Sequence, residues 1–267
     1  MRLIMKRLLL TGLAIGGAVV AYREVVRPWW RSWGVDELDV ARELPGDDLV
    51  PAASTTDTRS IVVQAPPSAV WPWLVQMGYG RAGWYSYDQI DMAGASVDRI
   101  VPEWQGLAVD AVVPTHPGGG FEVRSLEPER ALVLYSDSDL VDRQADAARI
   151  ADLGRADANV QATGAFLGTA QPKDFAASWA FVLEPLTGGR TRLIERFRVR
   201  FGESDKPWTA FTLPLVGFGV FLMTRKQMLG IKERAERLAV SSASPRRDGA
   251  DAALVAAGGE AVIAVAT

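Results

Sequence analysis

The chain has 267 residues, 48% of them hydrophobic, with 29 basic and 32 acidic side chains and a net charge of -3. That allows one substantial core but not two comfortable enzyme domains, and the near balance of charge excludes the electrostatic footprint of a nucleic-acid binder. Cysteine is absent, which excludes disulfides, thiolate nucleophiles and thiolate-held metals.

In chain order, Arg2, Lys6 and Arg7 precede an uncharged run from Leu8 to Tyr22. Extended to Val26, with Arg23 reaching back to the surface, it makes a helix about 28 Å long at ~1.5 Å per residue. The hydrocarbon core of a bilayer is about 30 Å thick. Trp29, Trp30 and Trp33 follow as interfacial aromatics do. Residues 1–33 therefore read as a single-pass N-terminal membrane anchor, a transmembrane helix with its flanks. A signal peptide cleaved after Val19-Val20-Ala21 is the rival reading. Basic residues on both sides leave the orientation open. Residues 34–57, with Pro45-Gly46-Asp47, read as a turn-rich linker that packs onto the domain.

The domain is expected over residues 58–240. Arg59 to Ala65 has the composition of a strand. Pro66-Pro67-Ser68 then opens a helix, AVWPWLVQM, with Val70, Leu74 and Met77 stacked on one face. The next stretch, GYGRAG, matches G-x-G-x-x-G at Gly78, Gly80 and Gly83. A dinucleotide loop needs a strand before its first glycine, and the helical spacing and Pro72 upstream argue against one. The glycines instead read as a helix end and sharp turn. They deliver the ring cluster Trp84-Tyr85-Ser86-Tyr87. Strands are expected at Leu107–Val113, Phe121–Leu126 and Ala131–Tyr135. His116, the only histidine, lies between the first two in PTHPGGG and reads as a solvated loop residue, with no G-x-S-x-G to pair with.

Ala176–Leu186 and Thr191–Phe201 read as a hairpin across Thr187-Gly188-Gly189-Arg190. Period two on the second strand places Arg192, Arg196, Arg198 and Arg200 toward water. Leu193, Glu195, Phe197 and Val199 then face inward, toward Trp179, Phe181 and Leu183 of the neighbouring strand. Glu195 is expected as a polar handle among these rings, with a pKa raised by desolvation, or paired with a nearby arginine, or turned outward by a bulge. A helical pattern runs from Trp208 to Ala239. Its start, Pro207 to Thr224, carries no charge. Its later half is amphipathic, with Met228, Ile231, Ala235 and Leu238 on one side and Glu233 paired with Arg237. Residues 241–267, rich in alanine, glycine and serine, read as a disordered tail. The element order is that of an α+β fold.

The segments QAPPSAVWPWLVQMGYGRAGWYSYDQID, RIVPEWQ, SWAFVLEP with TRLIERFRV, and MTRKQMLGIKERAERL resemble the START-like superfamily, and within it the SRPBCC proteins of the polyketide cyclase/dehydrase-like branch. The upstream SWGVDELDVARELPGDDLVP resembles the lead-in of that branch. The resemblance spans roughly residues 32 to 239. It implies a helix-grip fold, a curved antiparallel sheet around a long C-terminal helix with a hydrophobic cavity between them. It implies binding of a lipid, sterol or polyketide, or cyclisation and dehydration chemistry. It supplies no catalytic residue set. The departure is the Ser136–Asp174 insertion, expected to be helical over Asp139–Leu153, as either a lid or a tolerated surface insertion.

The expectations are therefore a membrane-tethered binding or carrier protein for an apolar small molecule, or a cyclase/dehydratase-type enzyme using the same cavity. Ligand contacts are expected from Trp84, Tyr85, Tyr87, Trp104, Trp179, Phe181, Glu195 and Phe197. In the enzymatic reading Glu195 is the acid/base and Tyr85 or Tyr87 the hydrogen-bond donor. No cofactor, metal or nucleic acid is expected.

Overall fold

The computed structural model describes residues 7, 11–12, 14, 16–18, 20–90, 94–116, 119–150, 174–202 and 206–243, with side chains at 145–150 and 206–216 outside that description. The expected span from Leu8 to Val26 falls partly outside it, as do residues 151–173 of the insertion and nearly all of the expected tail. Among the described residues, no helix is long and apolar enough to cross a membrane.

A π-helical turn, Tyr22–Val26, leads into α1, Arg27–Arg31, and a short α2 spans Glu37–Ala41. Asp36 caps α2 by accepting from the Asp39 amide; this satisfies one of the amides that every helix start leaves orphaned. Six strands follow: β1 (Thr55–Val63), β2 (Val112–His116), β3 (Gly119–Glu127), β4 (Ala131–Asp137), β5 (Phe175–Leu186) and β6 (Arg190–Phe201). Between them lie α3 (Pro67–Val75) and α4 (Ser138–Ile150), and α5 (Lys206–Ala243) closes the described chain. The sheet order is β1-β6-β5-β4-β3-β2, with every neighbouring pair antiparallel.

The long β5–β6 hairpin turns where it was expected. Leu186 pairs with Arg190 across the three-residue loop Thr187–Gly189, in which Gly188 and Gly189 both take left-handed conformations that glycine adopts without a Cβ penalty. Val70, Leu74 and Met77 are buried against the sheet. Gly78 and Gly83 close the following loop by a reciprocal pair of amide–carbonyl bonds of 3.1 and 3.2 Å. The element before Gly78 is α3, so the glycines follow a helix and not a strand, as the spacing predicted. Met228, Ile231 and Ala235 of α5 pack into the core with Leu132, Leu134, Phe181 and Leu193 of the sheet. This is the helix-grip arrangement, with the long helix on the sheet's inner face.

Four local expectations are corrected. The strand expected from Leu107 begins only at Val112, because the chain turns at Ala108–Ala111 with Asp110 left-handed. His116 is not a solvated loop residue; it ends β2, half-buried and paired in register with Gly119. Glu233 does not take Arg237, which donates instead to Asp98 at 3.1 Å, while Lys232 and Glu236 form the ion pair on that helix. The outer face of β6 is not open to water either. Residues 36–51 fold across it and supply acceptors to its arginines. Arg192 meets Asp39. Arg198 donates to the Val50 carbonyl at 2.9 Å. Arg196, 2% exposed, donates to Thr58 Oγ1, Asp47 and the carbonyls of Asp39, Val40 and Arg42. The alternation itself is right; the lead-in, not solvent, occupies that side.

Burial holds the His116 imidazole below its ordinary pKa of 6.5. As pH falls, the unfolded chain takes up that proton first, so stability is lost as pH drops below about 6.5. The only histidine of the chain gives one pair of imidazole proton signals. Their midpoint in an NMR titration is expected below the free-histidine value.

Candidate ligand site on the inner face of the sheet

Register brings the site residues together. Across the sheet Arg59 faces Glu195, Glu195 faces Phe181 and Phe181 faces Leu132. One step along, Asp57, Phe197, Trp179 and Leu134 form the next row. Side chains two residues apart on a strand share a face, so both rows point to α5.

Glu195 is 1% exposed. One carboxylate oxygen accepts from Trp179 Nε1 at 2.8 Å, the other from Arg59 Nη1 at 3.0 Å. Arg59 also donates to Asp57 at 3.0 Å and to the Trp30 carbonyl at 3.2 Å. Asp57 in turn accepts from Arg31 Nε at 2.7 Å. The result is an alternating chain, Arg31–Asp57–Arg59–Glu195, running from the rim into the core and ending on an indole N–H. Burial pushes the Glu195 carboxyl up, against the opposing pull of the Arg59 guanidinium. No bulge turns Glu195 outward; it stays on the inner face, paired with Arg59 and bonded to the Trp179 indole.

Trp179 is the hub of the rings. It stacks on Trp84 (5.6 Å between centroids, 27°) and meets Phe121, Phe181 and Phe197 at 5.7, 5.0 and 6.4 Å. Trp84 and Phe181 are buried, while Trp179, Phe121 and Phe197 are half-buried. The inner face is thus divided. It is filled at the Leu193–Phe181 end, where Met228, Ile231 and Ala235 pack, and less closed at the Phe197–Trp179–Phe121 end. Phe121 was read as part of a strand but not as a site residue. Its signal was available, because Phe121 and Val123 share a parity on β3.

The remaining expected contacts lie apart from the hub. Tyr85 is buried in a left-handed conformation (φ 56°). Its ring meets Trp73 edge-on at 5.9 Å and carries the Arg234 guanidinium at 4.8 Å. Its hydroxyl accepts from Gln76 Nε2 at 2.9 Å, and burial pushes its pKa up, keeping the phenol protonated. Tyr87 is exposed. Trp104 sits half-buried in a 3₁₀ turn, its carbonyl accepting from Arg81 at 2.8 Å. Two clefts open elsewhere. One, of about 500 Å³, lies between the lead-in and β6 and is lined by Arg42, Asp47, Arg196 and Arg198. The other, of about 660 Å³, runs along Leu44, Pro67, Glu127 to Ala131 and Leu183. Neither is lined by the ring cluster. Among the described residues no acidic or histidine cluster suits a metal ion.

The six-stranded antiparallel sheet and the long helix across it define an α+β domain of helix-grip arrangement. No family model matches the chain, and no curated protein matches it in sequence. Solved structures similar to it include protein MLL2253 from Mesorhizobium loti, 16% identical, covering 71% of this chain and 99% of that one with a TM-score of 0.33. Hypothetical protein jhp0584 from Helicobacter pylori is 12% identical, covering 73% and 96%, with a TM-score of 0.40. The Polyketide_cyc-like protein Cgl2372 from Corynebacterium glutamicum is 15% identical, covering 69% and 88%, with a TM-score of 0.26. At these levels no residue role passes from those proteins to this chain.

Proposed function

We propose that this protein is a membrane-tethered binding or carrier protein for an apolar small molecule of the lipid, isoprenoid or polyketide-like class. The ligand would lie against Trp179, Phe121 and Phe197. The observation that carries the reading is Trp179: a half-buried indole at the centre of four rings, its N–H fixed by a fully buried carboxylate. Apolar packing alone would stabilise this core as well as a buried ion pair does. Fixing one indole while leaving part of it uncovered suits an aromatic wall with a set orientation. In this reading Glu195 is a positioning residue that acts through Trp179. The cyclase/dehydratase reading asks Glu195 to move a substrate proton, and both its oxygens already accept from protein donors. The N-terminal helix supplies the tether.

The test is mass spectrometry of small molecules extracted from the full chain purified in mild detergent. An apolar molecule in near-stoichiometric amount is expected with the wild type. Its dissociation constant, measured by titrating the extracted molecule back into the stripped chain, is expected to rise about tenfold in Trp179→Ala, the effect of losing about 1.4 kcal/mol of aromatic contact. A chain that carries nothing from several expression hosts, or a Trp179→Ala variant that stays folded with unchanged affinity, overturns the proposal.

A further inference from the structure

The end of the N-terminal helix and the first half of α5 meet through a ring stack that leaves an apolar shoulder uncovered. Trp29, Trp30 and Trp33 surround Phe221 at 5.5, 6.2 and 6.2 Å. Gly217 permits the approach, since a Cβ there would come within 2.8 Å of the Trp30 ring. The contacts run in step: Trp30 lies beside Gly217 and Phe221, and Trp33 beneath Arg225 at 5.0 Å. The two helices therefore travel side by side in the same direction toward the sheet.

Their outward sides are apolar. Val25 is 66% exposed and Trp29 55% on the first helix, and on α5 Leu222 is 42% exposed on the face it shares with Lys226 four residues on, while Val220, 44% exposed, lies on the opposite flank of Phe221. Scattered exposed apolar residues are ordinary; here the exposed valine, leucine and tryptophan stand beside basic side chains. The rim is basic: Arg23, Arg225 and Lys226 are exposed and Arg27 is half-buried, with Glu24 the acid among them. The sequence of α5 is uncharged from Pro207 to Thr224, immediately before Arg225 and Lys226. An uncharged helical segment ending in a basic pair, next to a tryptophan-rich helix end, has the chemistry of an amphipathic element at an anionic membrane surface.

We infer that this shoulder, with α5 contributing as much as the N-terminal helix, rests on an anionic lipid bilayer. The inference rests on the membrane-tethered reading and deepens it. The domain does not hang free on its tether; its own C-terminal helix touches the bilayer. The same helix covers the inner face of the sheet, so the ring site would sit directly behind the lipid contact.

The absence of cysteine makes single-site labelling clean. Val25→Cys, Leu222→Cys and, at the exposed hairpin tip, Thr187→Cys would each carry an environment-sensitive fluorophore. Each full chain would be placed, one copy per disc, in nanodiscs of phosphatidylcholine with phosphatidylglycerol. Blue-shifted emission and quenching by spin-labelled lipid are expected at 25 and 222 and not at 187. Replacing Arg225 and Lys226 by glutamine is expected to reduce the quenching at 222 severalfold, each basic residue near such a surface contributing a few-fold in partition. Shielding at 25 with water-like emission at 222 overturns the inference and leaves the tether standing. Water-like emission at both sites overturns the inference and the tether together. Shielding at 222 only when two copies share a disc assigns the shoulder to a second copy and overturns the lipid contact.

Discussion

Arg59→Met is expected to cost about 3–5 kcal/mol of folding stability, the usual penalty for stranding one partner of a buried ion pair. Glu195 would keep its place among Phe181, Trp179 and Leu193 with one oxygen unpaired, and Asp57 and the Trp30 carbonyl would each lose a donor. The size of the loss reflects the uncompensated charge, not the net worth of the pair. The double variant Arg59→Met with Glu195→Leu is therefore expected to recover most of the stability, because an apolar replacement of a buried pair is often neutral. It would not restore the Trp179 N–H bond, so ligand occupancy is expected to stay low after stability returns. Denaturant melts of the two variants, with occupancy measured alongside, check both halves. A single variant as stable as the wild type would refute the buried pair.

Arg196→Met ranks beside it, at about 3–5 kcal/mol. This guanidinium donates to three main-chain carbonyls and to the side chains of Asp47 and Thr58. Among the described residues no other side chain makes as many hydrogen bonds between the lead-in and the sheet. Removing it leaves the buried Asp39 carbonyl without this donor, at about 1–3 kcal/mol, and strips Asp47 of its nearest cation, while the Val40 and Arg42 carbonyls border the cleft and can turn to water. The damage should begin locally: residues 36–51 are expected to become protease-sensitive at denaturant concentrations where the sheet still holds. Limited proteolysis followed against the circular dichroism of the sheet separates the two. Arg192 and Arg198 keep part of the lead-in in place through Asp39 and Val50, so the fold itself is expected to survive.

The sequence was most legible where local pattern and tertiary packing agree. The β5–β6 hairpin could be read because period two holds across two long strands and Thr187-Gly188-Gly189-Arg190 allows only a turn. The α3 face was legible for the same reason at period 3.6. The outer arginines misled because alternation states which side a residue takes, not what covers that side. Here the cover comes from a segment more than a hundred residues away, and its Asp39, Asp47 and backbone carbonyls carry no local sign of the task. Glu195 illustrates the same limit. Its inward direction followed from parity, but its partner Arg59 is fixed only by the β1–β6 register. Tyr85, Tyr87 and Trp104 were grouped with the rings by composition. The left-handed backbone at Tyr85 separates them, directing one ring toward Trp73 and leaving Tyr87 at the surface.

Three successive hydrogen bonds join the last turn of α1 to the indole at the centre of the rings. The Trp30 carbonyl holds Arg59 at 3.2 Å, Arg59 holds Glu195 at 3.0 Å, and Glu195 holds Trp179 at 2.8 Å. With Arg59 and Glu195 each 1% exposed, bulk solvent offers no substitute partner if a link lengthens. A displacement of α1 is therefore expected to register in the fluorescence of Trp179, and Glu195→Gln to weaken that response.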